Sequence, residues 1–298
     1  MVKTNHFFLK ERAVLPNGYL NAIIKSALKE DIGRGDITTS LVVPAGRKMN
    51  ACIVTRQDCV VCGLAVAEKV FKAVDKKINF KPCVKEGRLV KKGACLACVR
   101  GNSRSILAAE RVMLNFLSLL SGVATRTHEF AEKTKKHNVK IVDTRKTLPG
   151  LRLLQKYAVR VGGGFNHRMG LDEMVLVKDN HIKIVGGHTR LPRFFCAQKV
   201  EIEVESLKEL AHALRCNPHI VMLDNMALAD IRKAVKLRDA FARNTRSEKI
   251  LLEVSGGVQL ENIGHIASTG IDMISIGALT HSVSAIDVSL EVGPIVTL

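Results

Sequence analysis

Tryptophan is absent and only two tyrosines occur among 298 residues, so few flat side chains are available for stacking exposed bases. No five consecutive residues are Lys or Arg, which argues against a basic nucleic-acid-binding tail. No apolar run is expected to span a bilayer. The first twelve residues, MVKTNHFFLKER, interrupt their apolar stretch with Lys10, Glu11 and Arg12; a signal-peptide core is therefore not expected, and the cytoplasm is the default location.

Acidic residues are also scarce. Twenty-eight Asp and Glu face 46 Lys and Arg, a formal net charge of +18, and such an excess favours anionic partners. With 47% hydrophobic and 25% charged residues, the chain is globular rather than disordered, and its length suits one large domain or two smaller ones. A nonspecific RNA-binding protein remains a competing reading of the charge; its affinity would fall steeply with salt.

Eight cysteines include two C-x-x-C pairs, Cys59/Cys62 and Cys95/Cys98. Two such pairs can supply four thiolates to zinc. The residues inside them are apolar and the pairs lie far apart in the chain, which favours reduced thiols packed as small hydrophobes. Disulfides are not expected in a reducing compartment.

The first third mixes signals: LNAIIKSALKEDIG reads as a helix stopped by Gly33, MNACIVTR as a strand, and ILAAERVMLNFLSLLSGVATRTHEFAEKTKKH as one or two long helices with a break near Ser121-Gly122. After His137 the pattern is regular. The runs VKIVDTR, MVLVKDNH, VEIEVES, IVMLDNM, ILLEVSGG and DMISIGAL alternate with helical stretches such as SLKELAHAL and LADIRKAVKL. Strand-helix alternation predicts parallel strands joined by crossover helices, here a (β/α) barrel.

Each of these runs starts apolar and ends in something chemically capable: Asp143 to Lys146, Lys178 to His181, Glu203 to Ser206, Asp224-Asn225, Ser255 to Gly257, and Gly277-Ala278. Barrel enzymes assemble their sites at the C-terminal ends of several strands. Ser255, Gly256, Gly257 and Gly277, on the last two strands, are candidates to hold a phosphate through backbone amides. Glu201, Glu203 and Glu205 alternate along one strand and should share a face. Buried carboxylates need compensation; Mg²⁺ near Glu203 and Asp224 would supply it, and so would ion pairs with Lys146 and Lys178. The sequence leaves both open. Arg145, Lys146, His167, Arg168 and Lys178 form a cationic collection that calls for a small polyanion.

The stretch YAVRVGGGFNHRMGL matches neither a dinucleotide fingerprint nor a Walker loop. Its glycines read as the end of a helix and a turn that delivers His167 and Arg168 to the barrel mouth.

EDIGRGDITTS, AERVMLNFLSLLSGVAT, DTRKTLPGLR, KYAVRVGGGFNHRMGLDE, LVKDNHI, EIEVES, LDN, SGG and GALTHS occur in that order over nearly the whole sequence. By these motifs the chain resembles the quinolinate phosphoribosyltransferases, also called nicotinate-nucleotide pyrophosphorylases (carboxylating). The resemblance implies an N-terminal α/β sandwich over residues 1–114, rejoined by the C-terminal segment 282–298, and an incomplete (β/α) barrel over 115–281. It implies a homodimer at least, with shared active sites, and no membrane or nucleic-acid partner. The implied reaction joins quinolinate to phosphoribosyl pyrophosphate (PRPP) with Mg²⁺, releasing pyrophosphate and carbon dioxide and leaving nicotinate mononucleotide for NAD biosynthesis. Carried over motif by motif, Arg111, Arg145, His167, Arg168 and Lys178 would hold the quinolinate carboxylates, with Arg111 reaching into a neighbour's site. Lys146, Glu203 and Asp224 would serve the ribose, pyrophosphate and metal as catalytic residues. Ser255, Gly256, Gly257, Gly277 and His281 would surround the phosphate. A barrel relative acting on nicotinate, or a molybdate-associated relative, would need fewer cations at the acceptor end.

Overall fold

A computed structural model describes residues 15–194, 198–245 and 248–293. The N-terminal stretch considered above as a signal peptide lies outside the described residues. The chain divides into two compact units, each described by itself.

The first unit takes residues 15–128, 148–163 and 280–293. It opens with helix α1 (Asn17–Ile32), which buries Leu20, Ile24 and Leu28 at helical spacing and stops at Gly33 in a positive-φ conformation, as the sequence predicts. Helix α2 (Ile37–Val42) starts where the Asp36 carboxylate accepts the Thr39 amide at 2.9 Å, an N-cap that replaces a missing backbone partner. Strands β1 (Lys48–Thr55) and β2 (Cys59–Val60), helix α3 (Leu64–Val74), and strands β3 (Asn79–Pro82), β4 (Leu89–Val90) and β5 (Cys95–Asn102) follow.

Helix α4 (Ser103–Thr134) is continuous; the break expected near Ser121-Gly122 does not occur. Gly122 serves close packing instead, because a Cβ there would collide with the Ser284 carbonyl. By length and composition α4 could cross a bilayer, contrary to the sequence expectation, yet most of its apolar stretch is buried inside the protein. That is how the core helix of a globular protein looks.

Next come strand β6 (Lys140–Val142), helix α5 (Arg152–Val161), strand β7 (Val175–Val177), helix α6 (Asp179–Val185), strand β8 (Val200–Val204), helix α7 (Leu207–Arg215), strand β9 (Ile220–Asp224) and helix α8 (Leu228–Thr245). Strand β10 (Leu251–Ser255), helix α9 (Ile263–Ala267), strand β11 (Met273–Ser275), helix α10 (Ala278–His281) and strand β12 (Val288–Val292) complete the order. In the first unit β12, β1, β5 and β3 form one antiparallel sheet in that order, so the last described strand pairs with β1.

The second unit takes 129–147, 164–194, 198–245 and 248–279. Its sheet is parallel throughout in the order β6-β11-β10-β9-β8-β7. The two edges, β6 and β7, are consecutive in the chain, and the barrel is open between them; Phe165 makes a single parallel bridge to Val142 beside β6. All six short runs read from the sequence form these strands, and Ile202, Leu223, Leu252 and Ile274 on the inner four are fully buried.

Candidate active site

The C-terminal ends of the parallel strands carry most of the residues singled out in the sequence. Beyond β6, the Asp143 carboxylate is fully buried. One oxygen accepts the His167 amide at 2.9 Å and the other the Asn166 side-chain amide at 2.5 Å. This clamp fixes the loop after α5. Gly162 caps α5, a Cβ there would strike the Ala124 carbonyl, and Gly163 takes a positive φ. The three glycines thus end a helix and turn the chain, and two residues beyond Phe165 the His167 side chain enters the barrel interior.

His167 is 6% exposed and its Nε2 lies 2.9 Å from Glu201 Oε2 and 3.8 Å from Glu253 Oε2. Its Nδ1 accepts the Arg168 amide at 2.9 Å. A nitrogen that accepts cannot carry the proton, so the ring is the neutral Nε2–H tautomer and donates to Glu201. Burial, and then the nearby Glu201 charge, push the Glu253 carboxyl up to about 7. The compensation that buried barrel carboxylates require is therefore one imidazole donor and one retained proton. Glu253 was not singled out from the sequence, and Asp143 appears there only as a strand-end group, without its clamp on the loop.

Arg168 donates from Nη1 to the Met174 carbonyl at 2.9 Å. Burial and then Arg145 lower its pKa, while Glu201 opposes them, so the two guanidiniums lie within electrostatic reach. Arg145 is half-buried and Lys146 exposed. Lys178, between β7 and α6, reaches Glu203 Oε2 at 2.8 Å; its own amide donates to His181 Nδ1 at 2.9 Å, which fixes the helix entry. Glu201 and Glu203 are buried as the alternation predicts, but Glu205 lies past the end of β8 and is exposed.

At the end of β9, burial and then Glu203 raise the Asp224 carboxyl, against Lys178, Asn225 and Lys146. Two carboxylates and two lysines therefore share one field. Asn225 has a φ of 51° and donates its amide to the Ser255 carbonyl at 2.9 Å, binding the ends of β9 and β10 together. Gly256, at φ 86°, lies under the Asn225 side chain, which a Cβ would overlap. Gly257, at φ 60°, has open space where a Cβ would stand, and its carbonyl accepts the Asn262 side-chain amide at 2.9 Å. A cavity of about 280 Å³ is lined here by Asn225, Gly256, Gly257 and Asn262 together with Val254 and Ile266. Gly277 follows β11, whose continuation is tied to β6 by the Ile276 amide on the Val142 carbonyl at 2.9 Å.

Arg145, Lys146, His167, Arg168, Lys178, Glu203, Asp224, Ser255, Gly256, Gly257 and Gly277 thus belong to one sheet's C-terminal side. Arg111 and His281 belong to the other unit. Arg111 is exposed on α4 and borders a pocket with Asn115, Ser118 and Asp287; His281 Nδ1 lies 2.5 Å from Ser282 Oγ.

An open parallel barrel with cations, paired carboxylates and positive-φ glycines at its strand ends defines a barrel enzyme for phosphorylated, anionic substrates. The chain belongs to the quinolinate phosphoribosyl transferase family: the pattern of that family's N-terminal domain matches residues 36–121 and that of its C-terminal domain residues 123–291. It is 42% identical to the probable nicotinate-nucleotide pyrophosphorylase [carboxylating] of Methanocaldococcus jannaschii, over 92% of this chain and 97% of that one. It is 41% identical to the nicotinate-nucleotide pyrophosphorylase [carboxylating] of Mycobacterium leprae, over 90% and 95% of the two chains. The solved nicotinate-nucleotide pyrophosphorylase of Francisella tularensis superposes with a TM-score of 0.86 at 41% identity, covering 95% of this chain and 99% of that one.

Proposed function

We propose that this chain transfers the phosphoribosyl group of PRPP to the ring nitrogen of quinolinate and releases the adjacent carboxylate as carbon dioxide, giving nicotinate mononucleotide for NAD synthesis. The observation that carries this reading is the grouping of Arg145, His167, Arg168 and Lys178 at the strand ends that also present Glu203 and Asp224. The three cations Arg145, Arg168 and Lys178 suit an acceptor with two carboxylates better than one with a single carboxylate.

Arg145, Arg168 and Lys178 pair with the two quinolinate carboxylates, and His167, held neutral between Glu201 and the Arg168 amide, positions the loop that carries Arg168. Glu203 and Asp224 face the ribose. As pyrophosphate departs, the ribosyl carbon takes on positive charge, and these carboxylates favour it. Lys146 favours the departing anion. The pyridine nitrogen attacks and becomes cationic; the electron pair of the neighbouring C–CO₂ bond then flows into the ring, carbon dioxide leaves and the ring carbon takes up a proton. No covalent enzyme intermediate and no general base are required.

The Glu203 and Asp224 oxygens are hard donors, and the Glu203 charge is near enough to raise the Asp224 carboxyl, a donor set suited to Mg²⁺. When bound, the ion would neutralise pyrophosphate oxygens. Ser255, Gly256, Gly257 and Gly277 cradle the phosphate.

The active form is a homodimer in which Arg111 enters the partner's site. Its exposure on α4 supports this, as does the exposed apolar group Ile37, Leu41 and Val42 on α2. The cytoplasm is the compartment that suits its seven described cysteines, all free thiols.

The test is incubation of purified protein with quinolinate, PRPP and Mg²⁺, following carbon dioxide and the mononucleotide. Folded protein that ignores quinolinate and accepts nicotinate would overturn the assignment.

A further inference from the structure

Four of the cysteines gather on one face of the antiparallel sheet, and they are not the two pairs the sequence sets apart. Cys59 and Cys62 are fully buried and lie with the side chains of the core: Cys59 Sγ is 3.6 Å from Thr55 Oγ1, and the Cys62 amide donates to Ser121 Oγ. They fit the reading of thiols as small hydrophobes. Cys95 and Cys98 do not. Both are half-buried, and they meet Cys52 from β1 and Cys83 from just beyond β3.

The Sγ separations are 3.5 Å for Cys83–Cys98, 3.7 Å for Cys83–Cys95, 3.9 Å for Cys52–Cys98 and 4.0 Å for Cys95–Cys98. Cys52, Cys95 and Cys98 all lie within 4.8 Å of one another. Four sulfurs around one zinc ion at about 2.3 Å form a tetrahedron whose edge is about 3.8 Å. Four of the six edges stand near that value; Cys83 lies outside the set mutually within 4.8 Å and would close toward Cys52 on binding, whereas a disulfide needs about 2.0 Å.

Strand geometry explains how this set forms. Cys52 and Cys98 are direct cross-strand partners and therefore share a face. Cys95 is three residues from Cys98, and in a regular strand an odd spacing would turn it to the opposite face. The register between β1 and β5 slips here: Ile53 pairs with Ala97 and Val54 with Cys95, passing over Leu96. This bulge inserts one residue; Leu96 and Ala97 are both fully buried on the core side, and Cys95 is returned to the side of Cys98. On the other flank the Cys83 amide donates to the Leu96 carbonyl at 2.9 Å, tying the fourth thiol to the bulge itself.

We propose that Cys52, Cys83, Cys95 and Cys98 form a tetrahedral tetrathiolate site for one divalent zinc ion, which fastens β1, β3 and β5 together. Zinc has no preferred geometry of its own and takes such sets closed, without an open position. The role is structural, separate from any Mg²⁺ taken with PRPP. Binding converts thiols to thiolates and releases their protons. Without a cation the Cys95 thiol resists ionising: burial, and then its neighbours Cys83 and Cys52, push it far up. Lys81, cross-strand from Cys98, offsets part of the negative charge of the filled site.

The test is metal analysis of full-length protein purified under reducing conditions without chelator, beside Cys83→Ser and the double variant Cys83→Ser/Cys98→Ser, with circular dichroism to establish folding. Close to one zinc per chain is expected in the parent protein and at least a tenfold loss in the double variant. Cobalt loading should give the intense charge-transfer absorption of a tetrathiolate ion, lost in the same variant. Because Cys83 is exposed, its single variant should stay folded and hold zinc more weakly. The proposal fails if folded parent protein exposed to zinc retains none and all four thiols react freely with a disulfide reagent. It also fails if the double variant keeps its zinc, which would move the ion to a set such as His167, Glu201 and Glu253, or if peptide mapping finds these cysteines joined as disulfides.

Discussion

The His167 ring is held by two partners of opposite kind: Nε2 donates to Glu201 Oε2 at 2.9 Å, and Nδ1 accepts from the Arg168 amide at 2.9 Å. The bond to Glu201 is buried, and the loop that presents Arg168 depends on both. His167→Ala should cost about 2–4 kcal/mol, because it leaves a buried carboxylate without its donor. Thermal unfolding measures that loss, and steady-state kinetics should show the KM for quinolinate rising alongside it. A variant as stable as the parent would remove His167 from this structural role.

Lys178 presents the opposite balance. Its side chain is 46% exposed and its partner Glu203 only 8%. The lysine end is open to solvent, which screens the pair, and losing a cation also relieves repulsion within the cationic cluster. Lys178→Ala and Arg145→Ala should therefore abolish turnover while leaving stability within about 1 kcal/mol. A severe fall in unfolding temperature for either variant would assign that residue to the scaffold.

Mixing tests whether two chains share a site. Arg111→Ala and Lys178→Ala should each be inactive alone, and unfolding and reassembling the two together should restore part of the activity. Restoration requires one intact site built from two differently damaged chains. Mixtures that stay inactive although mass measurement finds mixed dimers would refute the sharing.

Gly256 is constrained twice, by its φ of 86° and by the Asn225 side chain lying over it. Gly256→Ala should destabilise the chain by about 1–3 kcal/mol and raise the KM for PRPP at least tenfold while moving that for quinolinate less. Equal effects on both substrates would show that the glycine does not serve the phosphate end.

Glu253 gives a pH dependence with a definite sign. Its carboxyl stands at about 7 in the folded chain against an ordinary 4.5, so the folded state holds the proton longer than the unfolded one. Its contribution is fully present below about pH 4.5 and is lost as pH rises toward 7. Glu253→Gln cannot lose that proton. Its unfolding temperature should fall less than the parent's between pH 5 and pH 7.5, and parallel curves would contradict the placement of the proton.

The parallel sheet was legible because its strands are short β-branched runs whose polar ends mark the loops; Lys178, Glu203 and Asp224 follow from that pattern alone. The hidden parts depend on residues distant in sequence. Gly122 looks like a helix break until the Ser284 carbonyl is seen against it. Glu253 looks like one more strand-end carboxylate until Glu201 and His167 surround it. The cysteines mislead most: C-x-x-C spacing singles out Cys59 and Cys62, whereas a one-residue slip against β1 decides which thiols face one another. Strand period can be read from a sequence, but an irregularity in that period cannot.

Strand β12 has a consequence in time. Until residues 288–292 leave the ribosome, one side of β1 has no partner, because β5 covers only the other. The entire parallel sheet is synthesised in that interval. During each round of translation β1 is an open strand edge, able to pair with another nascent chain. A truncation that removes only the last strand would fix the protein in this state, with every residue of the parallel sheet present and the antiparallel sheet still seeking its final member.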